Sequence, residues 1–248
     1  MMKISEIFAF LQEKAPFETA EAWDNSGLLV GSPDAETAAV VVTLDITDDV
    51  VDTALIGEAK LIVSHHPVIF SPLRTLTTDS IPYRLAREGI AVLCVHTNLD
   101  KAADGVNDCL AKQLGLQNVR VAADGMSRLG ELPQAVTAAA FAEFVADTLK
   151  TAVRVRTGEN TVRTVALCGG AGADLVLPLL DEADAALTGE VKHHEWLAVP
   201  QGKTLVDGGH FDTEVAVIYQ LADWLQEAFP SLKVIVHRGD TPYSTIKD

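Results

Sequence analysis

Ala39-Val40-Val41-Val42-Thr43-Leu44-Asp45 is a nearly continuous β-branched run that stops on a carboxylate. A run without polar alternation belongs to a strand buried on both faces, the situation in a parallel sheet covered by helices. Downstream, residues 47–60 have the length of a helix and Leu61-Ile62-Val63 is the next strand, closing on Ser64-His65-His66-Pro67. Residues 81–88 are helical in pattern, and Ile90-Ala91-Val92-Leu93-Cys94-Val95 is a third strand, closing on His96. Strand, helix, strand, helix, strand predicts a parallel sheet with right-handed crossovers. A further helix over 106–114 stops at Gly115.

The second half repeats the order. Residues 162–168 form a strand opening onto Gly169-Gly170-Ala171-Gly172, residues 174–182 a helix, and Ala185-Ala186-Leu187 a strand ending at Thr188-Gly189-Glu190. Residues 191–199 fill the next helical slot. Lys203-Thr204-Leu205-Val206-Asp207 then runs into Gly208-Gly209-His210, and one long helix is expected over 213–229. Moving Val41 onto Val165 also lays Val63 on Leu187, while a slightly shorter shift lays His96 on His210 and Asp100 on Glu214. Internal duplication and ordinary βαβ patterning both account for this. The expectation is an α/β chain of two similar lobes, 1–123 and 124–248, each a mostly parallel sheet flanked by helices. The C-terminal segment is expected to pack back on the first lobe, and a metal site to lie in the cleft between lobes.

Composition bounds the function. The chain has 248 residues, 48% of them hydrophobic, enough for a packed core. A formal charge of -16 argues against attachment to nucleic acid or anionic membrane, which needs clustered Lys and Arg. Cys94, Cys109 and Cys168 are widely spaced, without a C-x-x-C pair, and read as core residues of a reducing compartment. The N-terminal segment, with Ser5 at the expected N-cap and polar Glu6 and Gln12 among its apolar residues, is an amphipathic helix rather than a signal sequence. A cytoplasmic protein is the expectation.

The strand ends carry the chemistry. His65, His66, His96 and His210 all fall where ligands collect in open α/β sheets, beyond the carboxyl ends of the strands. His96 and His210 each have a carboxylate four residues on, Asp100 and Glu214. Neutral imidazole with carboxylate suits a borderline divalent metal, and four histidines with two carboxylates divide naturally between two ions with coordination positions left open. Each piece also has a structural reading: a satisfied core histidine, or Asp212, Thr213 and Glu214 serving the start of a helix. Asp45, at a strand end, is a candidate for binding substrate or orienting a ligand, and Glu190 and His194 are candidate proton shuttles. His193-His194 equally fits a solvated helical face. The glycines at 169, 170 and 172 look like a phosphate-cradling turn, but Gly-Gly-x-Gly is not G-x-G-x-x-G.

Several motifs together resemble the Nif-three-like family, whose bacterial type is YbgI. They are Trp23-Asp24-Asn25-Ser26-Gly27-Leu28-Leu29-Val30-Gly31, Ser64-His65-His66-Pro67, His96-Thr97-Asn98-Leu99-Asp100, Thr188-Gly189-Glu190, Gly209-His210 with Thr213-Glu214, and Gly239-Asp240-Thr241-Pro242-Tyr243. The resemblance spans nearly the whole chain and implies a short member without the inserted domain of some relatives. It also implies a two-lobed subunit in a toroidal homohexamer, and a dinuclear centre of Zn, Fe or Mn held by His65, His66, His96, Asp100, His210 and Glu214. Family members are often named GTP cyclohydrolase homologues of a second type, which implies metal-dependent hydrolysis of a nucleotide or similar small molecule. The competing class is a non-catalytic metal-binding scaffold, metallochaperone or regulator. Asn25-Ser26-Gly27 is expected to turn, Trp23 to pack against a neighbouring lobe or subunit, and the Asp240 segment to return near the cleft.

Overall fold

The run that opens the sequence argument is buried along its whole length, as are the two strands beside it. The computed structural model describes residues 1–243 and is mixed α/β. It forms two compact units, Met1–Gly105 with Val217–Gly239, and Val106–Ala216 with residues 240–243. In the first unit lie β1 (Met2–Lys3), β2 (Gly27–Val30), β3 (Glu36–Thr37), β4 (Ala39–Thr43), β5 (Leu61–Ser64) and β6 (Ala91–Cys94). The second holds β7 (Gln117–Val121), β8 (Arg128–Val136), β9 (Arg154–Arg156), β10 (Val162–Leu167), β11 (Ala185–Thr188) and β12 (Thr204–Asp207). Strand β13 (Lys233–His237) returns to the first.

The first sheet has the order β13-β4-β5-β6-β2, parallel except for β2, and the second β7-β8-β10-β11-β12-β9, with β10, β11 and β12 parallel. Each therefore contains three sequential parallel strands with an antiparallel strand outside the third. These are the strands the sequence shift superimposes. In both sheets the central positions are Val, Ile, Leu and Ala because helices cover both faces and leave no room for polar alternation. The first core gathers Val41, Val51, Ile62, Leu85 and Val92; the second gathers Leu110, Phe141, Val145, Val165 and Leu187.

The expected boundary between residues 123 and 124 falls inside the second unit. Helix Val106–Gln113 buries Leu110 and Ala111 in the core of that unit, and β7 pairs antiparallel with β8. At the other end β13 pairs in parallel with β4, so 217–239 belong to the first unit, while residues 244–248 of the expected second lobe lie outside the described residues.

Three helices differ from expectation for local reasons. Helix Ile4–Lys14 starts two residues early: Lys3 is the N-cap and its N–H donates to Glu6 Oε2 at 2.8 Å, leaving Ser5 inside the first turn. The helix expected over 174–182 ends at Val176 and resumes as the 3-10 turn Pro178–Asp181, since Pro178 cannot donate to the preceding turn. The long helix expected over 213–229 is two, His210–Glu214 and Val217–Ala228. Thr213 Oγ1 donates back to the Gly209 and His210 carbonyls, a bond that competes with the helical ladder at this break. Among the described residues no helix is long and apolar enough to cross a membrane.

Asp184, just before β11, ties that strand to β10: its Oδ2 accepts from the Arg163 and Thr164 N–H groups and from Thr164 Oγ1. Burial raises its pKa, but these donors outweigh that and hold the carboxyl below its ordinary value of 3.8. A depressed folded-state pKa means the contribution is present above 3.8 and is lost as pH falls through the folded value. Asp184→Ala is therefore expected to lower unfolding free energy at pH 7 by about 2 kcal/mol. Denaturant titrations across pH should show the difference from the parent protein shrinking below the ordinary carboxylate range.

Candidate metal centre

Parallel pairing delivers the first set of residues. Beyond β5, the His65 N–H donates to Thr43 O and the His66 N–H to Leu44 O, so the ladder continues through both histidines. Beyond β6, His96 caps the short helix Thr97–Lys101, which carries Asp100. The ring centroids of His65, His66 and His96 lie 4.9, 5.2 and 5.6 Å apart, and the three offer nitrogens within 4.8 Å of one another. His65 Nε2 stands 3.6 Å from Asp100 Oδ1.

Each ring is fixed through its other nitrogen. His65 Nδ1 bonds Val95 O at 2.9 Å, His66 Nδ1 bonds Asp45 Oδ1 at 2.7 Å, and His96 Nδ1 bonds Asp24 Oδ1 at 2.7 Å. Carbonyls and carboxylates only accept, so in each case Nδ1 carries the proton, and the neutral form of each ring has its lone pair on Nε2. This is how metal-binding imidazoles are oriented.

The second unit supplies a smaller set in the same way. After β12, Gly209, at φ +82°, starts the helix His210–Glu214. His210 Nδ1 bonds Glu190 Oε1 at 2.8 Å, and His210 Nε2 lies 3.1 Å from Glu214 Oε2. The glycine-rich loop makes room for this carboxylate: a Cβ on Gly170 would sit 2.1 Å from Glu214 Oε1, and Gly170 has φ +61°. Its amides are committed elsewhere. The Gly169 N–H donates to Asn107 Oδ1, the Gly170 N–H to Thr213 Oγ1 and the Gly172 N–H to Thr188 Oγ1, so this loop is not a phosphate cradle.

Each unit thus holds one imidazole–carboxylate pair, His65 Nε2 with Asp100 in the first and His210 Nε2 with Glu214 in the second. Between an imidazole lone pair and a carboxylate oxygen a shared cation turns repulsion into attraction. An ion bound tetrahedrally to one nitrogen and one oxygen at about 2.0–2.2 Å separates them by about 3.4 Å. The observed 3.6 and 3.1 Å bracket that value. The donor chemistry and spacing fit a divalent metal, which makes this a candidate metal site.

Asp45 and Glu190, candidates for substrate binding and proton transfer, have carboxylates that accept from ligand-type histidines, so the geometry makes them positioning residues. His194 is exposed on helix His193–Ala198 and is not among the residues gathered in either set. Tyr243 returns to the start of the His210 helix, its hydroxyl 3.5 Å from where a Cβ on Gly209 would lie. Asp24 is the functional residue that sequence reasoning missed. Its carboxylate takes hydrogen bonds from the His96 ring, the Thr97 N–H and hydroxyl, and the Ser26 hydroxyl. Burial pushes its pKa up, but the hydrogen bonds from His96, Thr97 and Ser26 outweigh that and hold the carboxyl far below the usual range. The signal was the Trp-Asp-Asn-Ser-Gly motif itself, whose carboxylate lacked an evident partner in sequence.

Histidines and carboxylates gathered at the strand ends of a two-unit α/β chain are the features that the comparison with known proteins picks up. The chain belongs to the Duf34/NIF3 (NGG1p interacting factor 3) family, whose model matches residues 2–242. A Lactococcus lactis protein named GTP cyclohydrolase 1 type 2 homolog is 33% identical over 245 residues, covering 94% of this chain and 95% of that protein. A Campylobacter jejuni protein of the same name is 30% identical over 252 residues, covering 98% and 99%. The crystal structure of a Staphylococcus aureus hypothetical protein, 28% identical, matches 99% of both chains with a TM-score of 0.91.

Asp24→Asn, which weakens the hold on the His96 ring, is expected to lower affinity for added Zn or Mn about 10- to 100-fold in chelator competition. Gly170→Ala should weaken binding through another route, by displacing Glu214 and straining the loop. A comparison of crystal structures would show the carboxylate moved, and an unmoved Glu214 would refute the steric argument.

Proposed function

We propose that the protein is a metal-dependent hydrolase whose centre holds two divalent ions, Zn, Fe or Mn, on His65, His66, His96, Asp100, His210 and Glu214. The observation that carries this reading is the imidazole–carboxylate pair in each unit, His65 with Asp100 and His210 with Glu214, each spaced for a shared cation. His210 and Glu214 alone are too few donors for a tightly held ion. Six donors spread over two ions leave positions open for water and substrate, as catalysis requires. Four imidazoles select against an exclusively Mg site.

Bound there, the ions would supply Lewis acidity and a water of lowered pKa. The chain's own residues do the positioning. Val95 O, Asp45, Asp24 and Glu190 keep the protons of His65, His66, His96 and His210 on Nδ1, so every Nε2 stays available. With a formal charge of -16, the rest of the chain offers an anionic substrate little attraction, and binding falls to this site. The relatives named GTP cyclohydrolase 1 type 2 homolog support a nucleotide as substrate, with GTP the first to assay.

Elemental analysis of the purified protein is expected to give about two metal ions per chain, as two-metal sites require. His96→Ala or Glu214→Ala should remove at least one. GTP or a generic phosphoester should turn over with Mn, Fe or Zn and not after chelation. Full metal retention in both variants would sink the ligand assignment, and stoichiometric metal without turnover on any substrate would favour the scaffold reading.

A further inference from the structure

We propose that Trp23 and Phe70 form an aromatic rim that stacks on a planar heteroaromatic ring of the substrate, a nucleobase or a ring like it. The proposal rests on the metal-dependent hydrolase reading above and adds the part of the substrate that the metal ligands do not touch.

A single exposed aromatic side chain would mean little. Here two lie together at one histidine of the candidate centre. Trp23 is 61% exposed and Phe70 54% exposed. Their centroids are 6.0 Å apart with planes inclined at 48°, too tilted to stack on each other. Both present edges or faces toward His96, at 6.2 Å for Trp23 and 6.4 Å for Phe70, with interplanar angles of 76° and 77°. A flat ring anchored near His96 would meet them within stacking distance.

The rim is also held in place. Trp23 precedes Asp24, whose N–H bonds Glu21 O and whose carboxylate is held by His96, Thr97 and Ser26. Phe70 follows Ile69, whose carbonyl accepts from Asn25 Nδ2 at 2.5 Å. One asparagine therefore links the backbones that carry the two rings, and ordering the rim on binding costs little. The same link gives the Trp-Asp-Asn-Ser motif a division of labour: Asp24 orients a metal-type histidine, Asn25 sets the spacing of the rings and Trp23 meets the substrate. Stacking on aromatic side chains tolerates any base, so the rim confers affinity for a ring and leaves the choice among rings to hydrogen bonds elsewhere.

The test uses the full-length, metal-loaded protein, with GTP and inorganic phosphate titrated separately by calorimetry. Trp23→Ala is expected to weaken GTP about 5- to 150-fold and Phe70→Ala about 5-fold or more, with phosphate affinity and metal content unchanged. Trp23→Phe should restore most of the loss. GTP affinity unaltered in both alanine variants would overturn the rim while leaving the metal reading intact, and so would a parent protein that binds GTP no better than phosphate. A variant whose assembly size changes while its GTP affinity does not would identify the rim as a subunit contact and overturn the proposal. A parent protein that holds neither metal nor phosphate would bring down the hydrolase reading, and the rim with it.

Discussion

A carbonyl or carboxylate can accept a hydrogen bond and cannot donate one, and the candidate site depends on that asymmetry. Val95 O, Asp45, Asp24 and Glu190 each take the Nδ1 proton of one histidine, so four rings are locked in one tautomer with Nε2 presented. Three of the four acceptors are positioned by strand ends. Val95 extends β6, Asp45 follows β4, and Glu190 follows β11, each beside the strand that carries its histidine. Apolar burial along β4, β5 and β6 thus does more than stabilise a core: it fixes the register that brings acceptor and imidazole together.

The same arrangement concentrates negative charge and lone pairs in a chain that already carries an excess of acidic groups. Asp100 lies against His65 and Glu214 against His210, and the fold holds them there by backbone geometry. Gly170 has no Cβ to push Glu214 away, and Gly209 adopts a left-handed conformation that L side chains rarely take. A cation binding the folded chain and not the unfolded one relieves that crowding and stabilises the fold by linkage.

Much of this was legible in sequence. Unbroken β-branched runs identify the parallel strands, and punctuation by His, Asp and Gly marks their ends, because burial on both faces leaves few other compositions. The ligand-type histidines could be found from those ends alone. What could not be read was pairing across the chain. Asp24 lies 72 positions from the His96 ring it orients, and no periodicity connects them. The boundary at Gly105 was hidden because helix Val106–Gln113 continues the βα rhythm of the first unit while packing in the second. Asp45 and Glu190 were visible as strand-end carboxylates, but their engagement with His66 and His210 is a matter of neighbouring strands in the sheet, which spacing along the chain does not encode.

The two histidines with a carboxylate four residues on show how far spacing can mislead. In the second unit His210 is the first residue of its helix, so the i and i+4 side chains share a face and Nε2 meets Glu214 at 3.1 Å. In the first unit His96 is the cap, at φ -103° and ψ -110°, outside helical geometry. Its ring turns to Asp24, and Asp100, one turn into the helix, lies 3.6 Å from His65 of the neighbouring strand. One residue's backbone conformation thus converts the same pattern from a local pair into a contact between strands. The first unit thereby recruits a histidine from β5 that its counterpart, with Gly189 and Glu190 at that strand end, does not have. That difference makes one unit rich in donors and the other poor, and the poor one uses the vacated position for the carboxylate that orients its single histidine.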